Sequence, residues 1–116
     1  MDLDPVASNP ENYTVVFEND RVRVLEYRDG PGTKTTEHSH PDSVMITLSS
    51  FRRRLYSGGK ELEVELPAGV PRWVPAQTHS GENTGDTASH SIFVELKEPS
   101  PGAAKSDAKA LGPDPT

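Results

Sequence analysis

The sequence predicts an all-β domain, on three observations. Its 11 Pro and 9 Gly interrupt the chain too often for long helices. Between the interruptions lie short segments rich in β-branched and aromatic residues, and turn-forming residues recur between them every ~8 to 12 residues, the spacing of an antiparallel sandwich or barrel. At 116 residues the chain builds one hydrophobic core and not two, so a single domain with one site is expected.

The strand segments, in chain order, are YTVVFE (13–18), RVRVLEYR (21–28), SVMITLS (43–49), FRRRLYS (51–57), KELEVELP (60–67) and SHSIFVELK (89–97). KELEVELP is the clearest, because Leu62, Val64 and Leu66 alternate with Glu61, Glu63 and Glu65 to give one apolar and one charged face, a half-buried strand. Turn signals separate the segments at Glu18-Asn19-Asp20, Asp29-Gly30-Pro31-Gly32, Ser57-Gly58-Gly59, Pro67-Ala68-Gly69 and Thr84-Gly85-Asp86. Gly58-Gly59, between two strand segments, is expected to form a tight hairpin. Residues 1–12 are polar and Pro-interrupted and read as a mobile N-terminal segment, residues 13–97 as the β-barrel, and 98–116, with no periodicity or apolar anchors, as a disordered C-terminal tail.

Charge and composition remove several function classes. Eighteen acidic against twelve basic side chains give a net charge of −6, which repels a phosphate backbone or an anionic membrane surface, so neither nucleic acid nor membrane is an expected partner. The absence of cysteine excludes disulfides, thiolate metal sites and cysteine nucleophiles, leaving His, Asp and Glu for any metal. The first residues carry acid where a secretory signal carries positive charge, and no run reaches membrane-spanning length; a cytoplasmic location is expected. Arg52, Arg53 and Arg54 form the one basic cluster, and because strand neighbours point to opposite faces they do not act as one patch. They read as a solvated edge with Arg53 tucked toward the core; the alternative turns Arg53 into the barrel interior to meet an anionic substrate group.

Three of the four histidines fall in two short motifs. In GTKTTEHSH, His38 and His40 are separated by one residue, so on an extended chain both imidazoles leave the same face and can converge on one metal ion. His79 arrives from a different part of the chain, in PAQTHSGEN. These motifs resemble those of the cupin superfamily. The first family pattern, G-x5-H-x-H-x3,4-E-x6-G, meets Gly32, five residues, His38, Ser39 and His40; the second, G-x5-P-x-G-x2-H-x3-N, meets Gly69, five residues, Pro75, then His79 and Asn83. The chain departs from the family where a glutamate ligand would stand, which is Val44 or, one position on, Met45, and Gln77 replaces a glycine.

The resemblance implies a double-stranded β-helix (jelly-roll) barrel holding one divalent transition metal on His38, His40 and His79. Imidazole ligands suit iron, zinc, nickel, copper or cobalt over magnesium or calcium. Without the glutamate the site resembles the iron(II) three-histidine dioxygenases, so iron(II) and an oxidoreductase acting on a small enolisable carbonyl or similar bidentate anion are expected. The alternatives are a metal-dependent isomerase or lyase of a sugar acid or keto acid, and a non-catalytic cupin that captures a small ligand. Asp42, of the same strand parity as the two histidines, is a substitute ligand or a turn residue. Beyond the metal, three residues are candidates for the chemistry. Arg53 would bind an anionic substrate, and Glu82, beside Asn83, would act as a general base. His90, which shares its parity with Ile92, Val94 and Leu96, is expected on the inward face of the last strand, as a core histidine or a proton shuttle. Trp73, Phe93, Tyr27 and Met45 are expected in the core or in the wall of a substrate cavity. Homodimerisation is implied by the resemblance to small cupins, with exposed barrel edges as its physical motive.

Overall fold

The computed structural model describes residues 3–98. The strands, in chain order, are β1 (Tyr13–Glu18), β2 (Val22–Asp29), β3 (His38–His40), β4 (Ser43–Thr47), β5 (Phe51–Ser57), β6 (Lys60–Leu66), β7 (Pro71–Val74), β8 (Gln77–Asn83) and β9 (Ser89–Leu96). They form a five-stranded sheet in the order β1-β2-β9-β4-β7 and a four-stranded sheet in the order β3-β8-β5-β6, every pairing antiparallel. The non-consecutive neighbours are those of a jelly roll, as the motifs implied. All six strand segments read from the sequence are present. The three other strands, β3, β7 and β8, are rich in His, Ser, Pro, Gln and Gly, so propensity alone does not mark them.

Gly58 and Gly59 join β5 to β6 in a two-residue turn with φ of 58° and 80°, and Ser57 pairs with Lys60 across it. Positive φ at both central positions defines the type I′ turn that matches strand twist, which is why two glycines stand there. No helix among the described residues is long and apolar enough to cross a membrane.

Residues 4–12 are folded onto the barrel: α1 (Pro5–Ser8) is capped by Asp4, whose carboxylate accepts from the Val6 and Ala7 amides, and Pro5 and Asn9 are buried. The reason is polar anchoring, which hydrophobic patterning does not register. Asn9 brackets Thr36, accepting from its amide at 2.8 Å and donating to its carbonyl at 3.2 Å, while Arg23 grips Asp4 at 2.6 Å. Of the tail expected from 98 onward, all but Glu98 lies outside the described residues.

The interior of the five-stranded sheet is more polar than its exterior. On β9 the buried positions are Ser89, Ser91, Phe93 and Glu95, and the apolar Ile92, Val94 and Leu96 face outward, only partly covered. Register carries an apolar row across that outer face, from Phe17 through Val24, Val94 and Val44 to Trp73. The buried apolar core is small, Tyr13, Leu25, Tyr27 and Phe93, with Val6 and Met45 packed against it.

Candidate metal centre

Strand register brings the three histidines together. His38 and His40 share the inner face of β3, and His38 pairs directly with His79 on β8. One ring nitrogen from each lies within 4.8 Å of the others, the one such cluster among the described residues. Ring centroids are 4.9 Å apart for His38–His40 and His38–His79, and 5.2 Å for His40–His79.

Each Nδ1 is engaged by an acceptor. His38 Nδ1 donates to the Thr36 carbonyl at 2.7 Å, His40 Nδ1 to the Glu95 carboxylate at 2.9 Å and His79 Nδ1 to Gln77 Oε1 at 2.7 Å. Gln77 is itself oriented, its amide nitrogen donating to the Pro75 carbonyl. These bonds fix the tautomer that leaves every Nε2 unprotonated and inward, the arrangement in which an outer partner sets the orientation of a metal-binding imidazole. Burial depresses His38 to about 4 and His79 to about 3, and repulsion from the neighbouring imidazoles and from Arg53 adds to it. Both are therefore neutral at pH 7, the form that ligates a metal.

Behind His40 an ion network runs to the N-terminal helix. Glu95 Oε2 accepts from His40, Oε1 accepts from Arg23 Nε and Nη2 at 3.1 and 3.0 Å, and Arg23 reaches Asp4. Tyr13 Oη lies 3.3 Å from His38 Nε2 and 3.2 Å from His40 Nε2, and burial raises its phenol above the ordinary value, with the neighbouring Tyr27 adding to the effect.

His38 and His79 open onto a cavity of about 140 Å³. Its wall is mostly apolar, with Met45, Phe51, Leu55, Val64, Leu66 and Phe93, and Arg53 is its one arginine. Arg53 faces inward, lying over the Tyr27 ring at 5.2 Å and donating to Asp29 at 2.6 Å. Burial alone would raise the Asp29 carboxyl, yet hydrogen bonds from Tyr27, Arg53 and Asn83 hold it below the usual carboxylate value. Gly81 gives the guanidinium its place: a Cβ there would stand 2.7 Å from Arg53 Nη2. Arg52 and Arg54 stay outside, paired with Glu65 and Glu63.

Two expected catalytic residues do not reach the site. Glu82 neighbours Asn83 in sequence, but strand alternation puts it on the opposite face of β8, where it accepts from Tyr56 at 3.0 Å. His90 faces outward on β9, hydrogen-bonded to Glu26 at 2.7 Å, because the inward positions of that strand are the small and polar ones. Trp73 is also outside, 55% exposed, whereas Tyr27, Met45 and Phe93 line the cavity. Asp42 accepts from the Ala76 amide at 2.9 Å, a turn role, and is not among the clustered donors. Val44 pairs with Trp73 on the outer face, so Met45, not Val44, is the inward side chain where the family's glutamate would stand. Asn83 donates to Asp29 Oδ1 and to the Thr87 carbonyl.

Sequence reasoning missed Glu95, Tyr13, Gln77 as a partner of His79, and Asn9. Glu95 carried a signal, a single acid between Val94 and Leu96 in an otherwise apolar stretch. Tyr13 and Asn9 carried none, since a strand-initial aromatic and a polar residue before it are ordinary.

No protein-family model and no curated protein matches the chain. Solved structures do. A cupin domain from Bordetella pertussis is 30% identical with a TM-score of 0.70, covering 74% of this chain and 92% of its own. A protein with a double-stranded β-helix domain from Klebsiella pneumoniae subsp. pneumoniae is 23% identical with a TM-score of 0.59, covering 72% and 74%. A predicted oxalate decarboxylase from Thermotoga maritima is 19% identical with a TM-score of 0.52, covering 72% and 78%, a likeness of fold alone.

Proposed function

Because the chain belongs to the cupin superfamily and gathers three histidines that can bind a metal ion, we propose that it is a metal-dependent oxidoreductase, an iron(II) dioxygenase acting on a small enolisable carbonyl or a similar bidentate anion. The observation that carries the reading is the donor set, three clustered imidazoles with no carboxylate among them, two of which, His38 and His79, line an apolar cavity. The residues fit a divalent transition metal, since every Nδ1 donates to an outer partner and every Nε2 is left unprotonated. Bound there, such an ion supplies an uncompensated positive charge, open positions for an anionic substrate and, in the case of iron, redox capacity.

The chain's own residues supply the rest. Glu95 holds His40 in place. The apolar wall excludes water and keeps a bound anion's charge unscreened. A cavity of about 140 Å³ is near the size of the roughly 150 Å³ hole that takes a benzene-sized ligand, so the substrate is small. Arg53, held by Asp29, offers its remaining N–H groups as the anchor for an anionic or carbonyl end of the substrate. Ser91, fully buried in the same wall, has a hydroxyl without a protein partner among the described residues and is a second anchor.

The test is metal analysis of protein purified without added metal, followed by oxygen uptake across a panel of β-diketones, keto acids and thiol carboxylates. One iron per chain, oxygen consumption with a substrate, and loss of both in His79→Ala are expected. Turnover without oxygen would replace this reading with the isomerase or lyase one, and failure to take up iron, zinc, nickel or copper would replace it with a non-catalytic binding protein.

A further inference from the structure

We propose that Tyr13 is a fourth protein donor at the metal, its phenol oxygen joining the Nε2 atoms of His38, His40 and His79; the inference rests on the metal-site reading above. The hydroxyl stands 3.3 Å from His38 Nε2 and 3.2 Å from His40 Nε2, the two nitrogens that the Nδ1 contacts leave free. Donors bound about 2.0–2.1 Å from a tetrahedral ion are themselves about 3.3 Å apart, so these separations are edges of a coordination polyhedron. Hydrogen bonding alone explains only half of the contact. A phenol has one proton, so it donates to one imidazole and presents a lone pair to the lone pair of the other. A cation between the three atoms satisfies all of them.

The phenol is fixed in that position. Its ring is buried, packed against Tyr27 at 4.7 Å between centroids and Phe93 at 6.0 Å, with the edges of His38 and His40 at 5.4 and 5.6 Å. The carboxylate and side-chain amide oxygens beside the histidines are spoken for. Asp42 is bound to the Ala76 amide, both Glu95 oxygens serve His40 and Arg23, and Gln77 Oε1 serves His79. Met45 fills the inward position of the family's glutamate, and Tyr13 brings an oxygen donor from a different strand.

On binding, the phenolic proton passes to water and the oxygen becomes a phenolate ligand. The experiment loads the full chain with iron(III) and records its visible spectrum, then repeats this with Tyr13→Phe, which keeps the ring packing. A phenolate-to-iron(III) charge-transfer band in the wild type is expected. The variant should lose the band while still binding one ion, with affinity lower by at least about tenfold, the smaller end of the loss on removing even an outer partner of a ligand. Histidine-dependent metal binding with no band in the wild type, and undiminished affinity in Tyr13→Phe, overturns the role of Tyr13 and leaves the three-histidine reading intact. A wild type that takes up no metal overturns both. The wild-type spectrum needs no variant, so a poorly folding Tyr13→Phe does not decide the outcome.

Discussion

Along β9, neighbouring residues obey opposite rules. His90, Ile92, Val94 and Leu96 face out of the five-stranded sheet and are partly solvated, while Ser89, Ser91, Phe93 and Glu95 face in and are buried. The same division runs through β2, where Arg23 and Asp29 share the inner face with Leu25 and Tyr27. In an ordinary half-buried strand the apolar residues mark the interior. Here the interior holds the three-histidine cluster and its supporting charges, so most of its polar residues are bound to specific partners and the outer apolar ones are not. Substitutions on the two faces should therefore differ in cost by several kcal/mol at similar side-chain size.

The largest effect is expected at Asp29, whose side chain is fully buried against Arg53. Asp29→Ala leaves the guanidinium uncompensated inside the barrel, at a cost of about 3–5 kcal/mol, read from urea unfolding. Acid should act through the same group. Its carboxyl is held below the ordinary value in the folded state, so the unfolded chain takes the proton first as pH falls. The contribution of Asp29 is complete above the ordinary Asp value of about 4 and is lost as pH drops through the folded one. Asp29→Asn should flatten that part of the stability curve, and an unchanged acid limb would show that the pair does not contribute as described.

Next comes Glu95→Gln, which keeps the shape and removes the charge that His40 and Arg23 share. Metal affinity should fall about 10- to 100-fold, measured by competition with a chromogenic chelator. Unchanged affinity would mean that His40 is oriented by packing against Phe93, stacked on it at 4.9 Å, and not by the carboxylate.

How far the sequence disclosed this molecule follows from the same contrast. Spacing of turns and the alternation in KELEVELP located the longer strands, because local patterning is what those features consist of, and the two motifs' resemblance to the cupin pattern located the three histidines that cluster. Parity failed on β9, where reading the apolar side as the inner one placed His90 in the core. A strand whose inner face serves a site is polar inside, and one sequence does not say which side that is. Arg53 was legible as a residue of two alternatives, but its partner Asp29 lies 24 positions away across the barrel and left no local trace. Glu95, Tyr13 and Asn9 act on histidines from β9, β1 and the segment after α1, contacts that exist only once the jelly roll closes.

The smallest effects should come from two adjacent residues on opposite faces. Ser91 is buried, and its hydroxyl lacks a protein partner among the described residues, so Ser91→Ala removes a group that folding desolvates without return. Stability should stay level or rise by up to about 1 kcal/mol. His90→Ala gives up a half-exposed hydrogen bond to Glu26 and should alter stability by no more than about 0.5 kcal/mol. It should also leave metal content and turnover untouched, because nothing on the outer face connects to the imidazoles. Measured together by urea midpoint and metal content, the pair tests the division of the sheet directly. A His90→Ala protein that lost metal, or that was destabilised as much as Asp29→Ala, would place this histidine in the working interior and reverse the assignment of inner and outer faces on β9.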